Sequence, residues 1–390
     1  MHCIDGGIVK KLLSLWFQPT YSNQRFSLTQ VKGTIDERLT LIKPPRFVHR
    51  MPRSVDELIS HGKASELKAW LFYYSLPVLN GIMDPVYFNH YCLLVLGITL
   101  LNTNTVTNES TEIASNILFK FVRQFETLYG LQFCSINMHI IIHLPQCVRN
   151  LGPLWAYVCY YYEDLNGKIL KNVHGTRHID SQVATSHIQL LTMQRFIDEL
   201  PEGPIRNFCF SRRYGVKICE KLSDSCYSVV TYKRFTDNAL PNAVSQAIDH
   251  LSPMPRIQNY LRLLKKSKLY ISQMYTRALQ TQSSCVLYKS EGNYLLGSIY
   301  CFLKLTNCQC ENRCQCLKFH YAVIQKYSNE KIFKAIDNDD LPHEIFHIYR
   351  CLKQDNFILV SVASLVTVCV EMSIENLLYV GIPVNSRESE

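Results

Sequence analysis

Two histidines one helical turn apart, His139 and His143, open a run of 37 residues that ends at Gly175. At i and i+4 both imidazoles face the same side of a helix, as a zinc pair requires. Two core or capping histidines among isoleucines would read the same way. Within the run lies a carboxylate, Glu163, with Asp164 beside it, directly after Tyr160-Tyr161-Tyr162. Asp and Glu are the ligand types that Mg2+ prefers. A carboxylate in the first turn of a helix is equally at home as a solvated group favoured by the helix dipole. A third cluster, Cys308, Cys310, Cys314 and Cys316, places four thiols in nine residues. Thiolates at short spacing can wrap a tetrahedral Zn2+, although Cys-x-Cys strains the turn more than Cys-x2-Cys does. An exposed hairpin with reduced thiols is the alternative. Finally, His174, Arg177 and His178 near a Gly-Thr turn could contact phosphates, or could be the polar residues of a helix–loop–helix turn.

These residues need elements to hold them. An amphipathic helix is expected over 7–17, with Ile8, Leu12, Leu15 and Trp16 on one face. Residues 22–53 form a basic connector whose centre, Ile42-Lys43-Pro44-Pro45-Arg46, is barred from helix by its prolines. Ser54 with Glu57 three residues on has capping-box spacing. Helical patterns follow over 64–76 (ending at Pro77), 85–101, 111–129, 135–143, 163–173 and 179–199. Beyond residue 200 the character changes. Residues 205–235 are Tyr- and Cys-rich and ambiguous, and 242–269 is expected to be helical with Lys265, Lys266 and Lys268 at its C-terminal end. From 284 onward, β-branched and aromatic runs at 284–289, 295–305, 318–326, 346–352, 356–371 and 378–382 predict short strands in a small barrel or sandwich. The fold class is therefore α+β, with a helical region 1–200, a mixed connector 201–283 carrying the basic helix, and a β-rich domain 284–390.

Composition sets the outer bounds. With 390 residues, 47% hydrophobic and 19% charged, the chain is long enough for two or three domains and is not of disordered type. A net charge of +9 permits a nucleic-acid partner without demanding one. The 16 cysteines and the lack of an N-terminal apolar leader suggest a reducing compartment, nuclear or cytoplasmic rather than secreted. No run reaches the ~18 apolar residues of a membrane span.

Several of these motifs together resemble the C-terminal part of CACTA (En/Spm-like) DNA transposon transposases. The order Met1-His2-Cys3, then IKPPRFVHRMPRS at 42–54, Lys63-Ala64-Ser65-Glu66, Tyr73 to Leu79, Leu128-Tyr129-Gly130, Asn137-Met138-His139 and the 139–175 run follows that family through about residue 200. The resemblance is loose in the β-rich part. It implies that Glu163 is the last carboxylate of a Mg2+-dependent catalytic set and that His139 and His143 pair with a Cys-x2-Cys. It also implies transposon-end DNA as partner and an RNase H-like core. In the family an Asp stands shortly before Met-His-Cys. The other carboxylates and the Cys-x2-Cys would then lie upstream of Met1, leaving this chain without nuclease activity alone. Two further readings stay open: a non-catalytic DNA- or protein-binding module with a zinc-stabilised β domain, and a self-contained metal-dependent hydrolase using Asp5, Glu163 and His139.

Overall fold

The chain is described by a computed structural model over residues 2–229, 233–234, 240–251, 256–276, 280–306 and 316–386. Its first half is a block of short helices around one apolar centre. A π-helical turn, Cys3–Val9, runs into α1 (Lys10–Phe17), and the expected face of Ile8, Leu12, Leu15 and Trp16 is buried. The connector carries α2 (Lys32–Thr40) and crosses the two prolines to α3 (Val55–His61). There Ser54 accepts a hydrogen bond from the Glu57 amide at 3.4 Å.

α4 (Ala64–Ala69), a π-helical turn (Trp70–Tyr74) and α5 (Ser75–Leu79) form one continuous rod. The rod was expected to stop at Pro77. It continues because the widened turn before the proline shifts the hydrogen-bond register in which an amide N–H would otherwise be missed. α6 (Pro85–Leu100) is buried nearly all round, as its unbroken apolar sequence dictates. α7 (Asn108–Tyr129) packs against it through Ile117, Leu118 and Phe121. The approach is close: a Cβ on Gly97 would lie 2.6 Å from the Leu118 side chain. His90 of α6 stacks on Phe121 and donates Nε2–H to its carbonyl at 2.9 Å.

α8 (Ile136–Ile141) and α9 (Leu144–Leu151) complete the block. α10 (Tyr160–Leu170), α11 (Ile179–Glu199) and α12 (Pro204–Tyr214) then form a limb of different character. α11 has no buried residue, and Ile188, Leu191, Met193 and Phe196 stand exposed along it. α12 is anchored by Phe210, which joins Val216, Ile218 and Leu264 in a small core.

The second half is antiparallel sheet. β1 (Ile218–Ser223) pairs with β2 (Cys226–Val229), and a two-residue strand β3 (Lys233–Arg234) follows. α13 (Asn242–Leu251) is helical as expected, but the helix does not run to residue 269. Instead β4 (Arg256–Tyr260), β5 (Arg262–Lys265) and β6 (Lys268–Ile271) occupy that stretch. Pro253 and Pro255 bar helix continuation. Lys266 and Ser267, at φ +48° and +63°, make the tight turn between β5 and β6. The basic cluster is therefore a hairpin tip, not a helix end. Lys265 Nζ donates to the carbonyls of Val362, Ala363 and Leu365 at 2.6–2.9 Å.

Strands β7 (Cys285–Ser290), β8 (Asn293–Thr306), β9 (Lys318–Glu330), β10 (Lys334–Ile336), β11 (Pro342–Glu344), β12 (Ile348–Ser361), β13 (Leu365–Val368), β14 (Val370–Ile374) and β15 (Leu377–Gly381) follow. The large sheet runs β13-β7-β8-β9-β12-β15-β14, with β4 paired to the C-terminal half of β8. The interruption expected between 352 and 356 is a register shift inside β12. The four-stranded sheet β1-β2-β5-β6 shares an apolar cluster with the large one through Cys226, Leu263 and Tyr270 against Val286, Phe302 and Ile324. The far end of the large sheet belongs to the helical core: Phe333, Ile348, Val370, Met372 and Tyr379 pack with α5 and α6 residues.

Candidate functional site

The turn Leu151-Gly152-Pro153-Leu154-Trp155 places α10. Gly152 ends α9 at φ +86°, a conformation that strains any residue with a Cβ. Leu154 is buried and donates its amide to the Leu101 carbonyl, and Trp155 Nε1 donates to the Thr103 carbonyl, both at 3.0 Å. Fixed to the end of α6 in this way, the chain turns into α10 with its first residues against the N-terminal π-turn.

There two segments far apart in sequence meet. His2 Nε2 lies 3.2 Å from Glu163 Oε1, and the His2 ring packs edge-on to Tyr160 at 4.4 Å between centroids. The Tyr160 hydroxyl donates to Asp5 Oδ2 at 3.2 Å. Asp5 is fully buried, whereas Glu163 and His2 are each about 60% exposed. Burial, reinforced by the Asp5 charge, pushes the Tyr160 phenol well above its ordinary value, so it stays a donor to Asp5 at any physiological pH. Burial likewise raises the Cys3 thiol. Asp164 pairs with Lys168 at 2.6 Å, an i,i+4 pair on the outer face. It is an ordinary solvated carboxylate.

His139 and His143 do come together, with Nε2 atoms 3.1 Å apart and rings 4.8 Å between centroids. They do not share one helix, as the spacing predicted. α8 stops at Ile141, and His143 is the residue before α9, whose second position is Pro145. The turn forced by the proline keeps the rings adjacent. Two imidazole nitrogens at this separation suit neighbouring vertices of a tetrahedral site, whose metal–nitrogen bonds are about 2.0–2.1 Å. Both histidines are exposed.

The donor sets among the described residues fall short of a metal centre. Among the described residues no group of three or more His, Cys, Asp or Glu side chains is arranged to hold a metal ion. Asp5, Glu163 and His139 therefore do not form the three-ligand site expected for a self-contained hydrolase: Asp5 is sealed under Tyr160, while Glu163 faces solvent beside His2. One exposed carboxylate does not fit a two-Mg2+ centre. In the cysteine cluster, Cys308, Cys310 and Cys314 lie outside the described residues, and Cys316 is partly buried and in no disulfide among the described residues.

Residues 172–178 are a largely exposed loop held by Gln182 in the first turn of α11, which accepts from the His174 amide at 2.8 Å and donates to the Arg177 carbonyl at 2.7 Å. His178 caps α11 in the left-handed conformation. No helix of the described residues is long and apolar enough to cross a membrane. No protein-family model matches this chain, and no curated protein and no solved structure matches it.

Proposed function

We propose that this chain is the C-terminal portion of a CACTA-type cut-and-paste DNA transposase. In this reading residues 1–200 are the remainder of an RNase H-like core, and Glu163 contributes one carboxylate to a Mg2+ centre completed by residues outside this sequence. The observation that carries the reading is the contact of His2 with Glu163 across 161 positions of sequence. In the family pattern the catalytic Asp shortly precedes Met-His-Cys. The same end of the backbone that brings His2 to Glu163 would bring that Asp to it. Such a carboxylate pair is what a two-metal phosphoryl-transfer centre requires. The His139–His143 pair supports the reading as half of a zinc site awaiting two thiolates. DNA at transposon ends is the partner it implies, in the nucleus or cytoplasm.

No cleavage step is assigned to this chain's own residues. The test has two parts. The first is the coding DNA in frame before the Met1 codon: an open frame with an Asp shortly before Met1, another farther back and a Cys-x2-Cys supports the proposal, and unrelated sequence counts against it. The second is a nicking assay of the chain as given with Mg2+ or Mn2+, expected to give no product. Cleavage abolished by Glu163→Gln would overturn the fragment reading in favour of a self-contained hydrolase.

A second reading, a non-catalytic binding module with a zinc-stabilised β domain, rests on the spacing of the four cysteines at 308–316. It requires stoichiometric zinc in the purified protein that falls when Cys308, Cys310, Cys314 and Cys316 are changed to Ser. Zinc content unchanged by that substitution removes it.

A further inference from the structure

We propose that a basic cleft at the junction of the connector, α12 and the β5–β6 hairpin binds phosphates of a nucleic-acid backbone. The cleft encloses about 220 Å³ and presents Arg46, His49, Arg213 and Lys268 beside two aromatic rings, Phe47 and Tyr214. Among the described residues no carboxylate lines it.

Its construction follows from the sequence. Pro44 and Pro45 keep the connector out of helix, the chain turns at once through the Val48 amide donating to the Pro45 carbonyl at 2.9 Å, and this corner is tied to the β domain at two points. The Gln282 amide donates to the Pro44 carbonyl at 3.1 Å, and the Arg46 amide donates to Ser283 Oγ at 3.3 Å. Arg46 is thereby projected over Gly215, where even a Cβ would come within 3.4 Å of its guanidinium. Gly215 itself ends α12 at φ +61°, a left-handed cap that brings Arg213 and Tyr214 to the rim. Leu264 and Leu269 form the apolar floor, and the hairpin tip supplies Lys268.

Three features favour a phosphate over a carboxylate or an apolar ligand. Two guanidiniums flank one cavity, and Arg suits bidentate phosphate recognition. At the rim Asp198 pairs with Arg213 at 3.1 Å, and that pair is solvent-exposed and weak. Phe47 and Tyr214 offer flat faces on which a base can stack.

A second, more open depression bordered by Arg212 and Lys217 adjoins the same helix end. Cations thus continue past one cavity, which suits an extended polyanion better than a single phosphate ion. His49 of the cleft is also within electrostatic reach of α10. The Asp164 carboxyl is held below its usual range first by the Lys168 hydrogen bond, with His49 among the charges that add to it. The choice of nucleic acid rests on the transposase reading; the cleft does not.

The test is fluorescence anisotropy of labelled mixed-sequence DNA, duplex and single-stranded, titrated with the full chain over a range of salt. The Arg46→Gln/Arg213→Gln double variant should lose about tenfold or more in affinity. Its slope of log K against log salt should fall by about two, because each phosphate contact on duplex contributes about 0.9. Arg46→Lys/Arg213→Lys should restore part of both. Removing the same charge elsewhere, in Lys331→Gln/Arg350→Gln, should leave both nearly unchanged.

Equal loss in that control overturns the cleft as the site, as does wild-type affinity in the double variant. Calorimetric binding of inorganic pyrophosphate that is lost in the double variant, without binding of either oligonucleotide, would overturn the nucleic-acid assignment and point to a small phosphorylated ligand. DNA binding that depends on Arg46 and Arg213, joined to an upstream frame without the expected Asp residues, would sink the transposase reading and keep the cleft.

Discussion

The helical block and the α10–α11 limb are built from similar lengths of apolar-rich helix, yet they use their side chains in opposite ways. α6 and α7 bury Tyr91, Leu94, Ile117, Phe121 and Phe125 completely or nearly so. α11, almost as long as α7, leaves Ile188, Leu191 and Phe196 more than half exposed. Apolar content alone therefore does not say where a helix sits. Its neighbours do, and helix stability in proteins comes chiefly from packing an apolar face. The block holds itself together, whereas the limb is secured mainly at its two ends, by the Tyr160–Asp5 contact and by Phe210.

The sharpest way to break this comparison is a pair of matched truncations. Phe121→Ala should cost about 3–5 kcal/mol in chemical denaturation. Phe196→Ala should stay within about 0.5 kcal/mol. Similar losses for both would mean that α11 is packed in solution.

Acid offers the next test. His90 in the block and His347, whose Nε2 donates to the Phe72 carbonyl at 2.9 Å, are held neutral by burial, with pKa lowered to about 4. The unfolded chain binds those protons near 6.5, so the unfolded state gains protons first as pH falls. Stability is full above about pH 6.5 and is lost on the way down to 4, by about 3 kcal/mol for each histidine. His320, also lowered to about 4, acts in the same direction. His90→Gln, which keeps an N–H donor, should flatten the pH dependence of the urea midpoint by about one proton. An unchanged slope would remove His90 from the account.

The smallest contrast is between two helix glycines. Gly97→Ala drives a methyl into Leu118 and should destabilise by about 1–3 kcal/mol. Gly167→Ala in α10 meets nothing within 4 Å and should stabilise that helix by up to about 1 kcal/mol. Thermal melts of the two variants moving in opposite directions would sharpen the distinction, and a shared direction would blur it.

Most of the helices were legible because their signals are local: the Ser54 cap, the apolar face of α1 and the Pro85 start of α6. The stretch 256–269 was misread because Leu263, Leu264 and Leu269 fit a helical stripe as well as a hairpin. Lys266-Ser267 also lacks the Asn-Gly signature that would have announced the turn. The candidate site was legible only as separate pieces. Glu163 and the histidine pair stood out by residue type, but nothing near Glu163 in the sequence points to His2. That contact depends on Leu154 and Trp155 docking at the end of α6, a tertiary event with no periodic trace. The basic cleft was missed for the same reason: Arg46, Arg213 and Lys268 come from three segments, and although two of them read as basic, nothing in the sequence brings them together.

The ties between the halves have a consequence for synthesis. Asn385 Nδ2 donates to the Asn102 carbonyl at 2.8 Å, and the Ser386 amide donates to Asn104 Oδ1 at 2.9 Å, closing the loop after α6. Together with the places of Phe333, Val370 and Tyr379 in the first core, this means the helices made first cannot finish their interior until residues 333–386 have left the ribosome. The nascent helical half must wait, with apolar surface uncovered, through the translation of everything between.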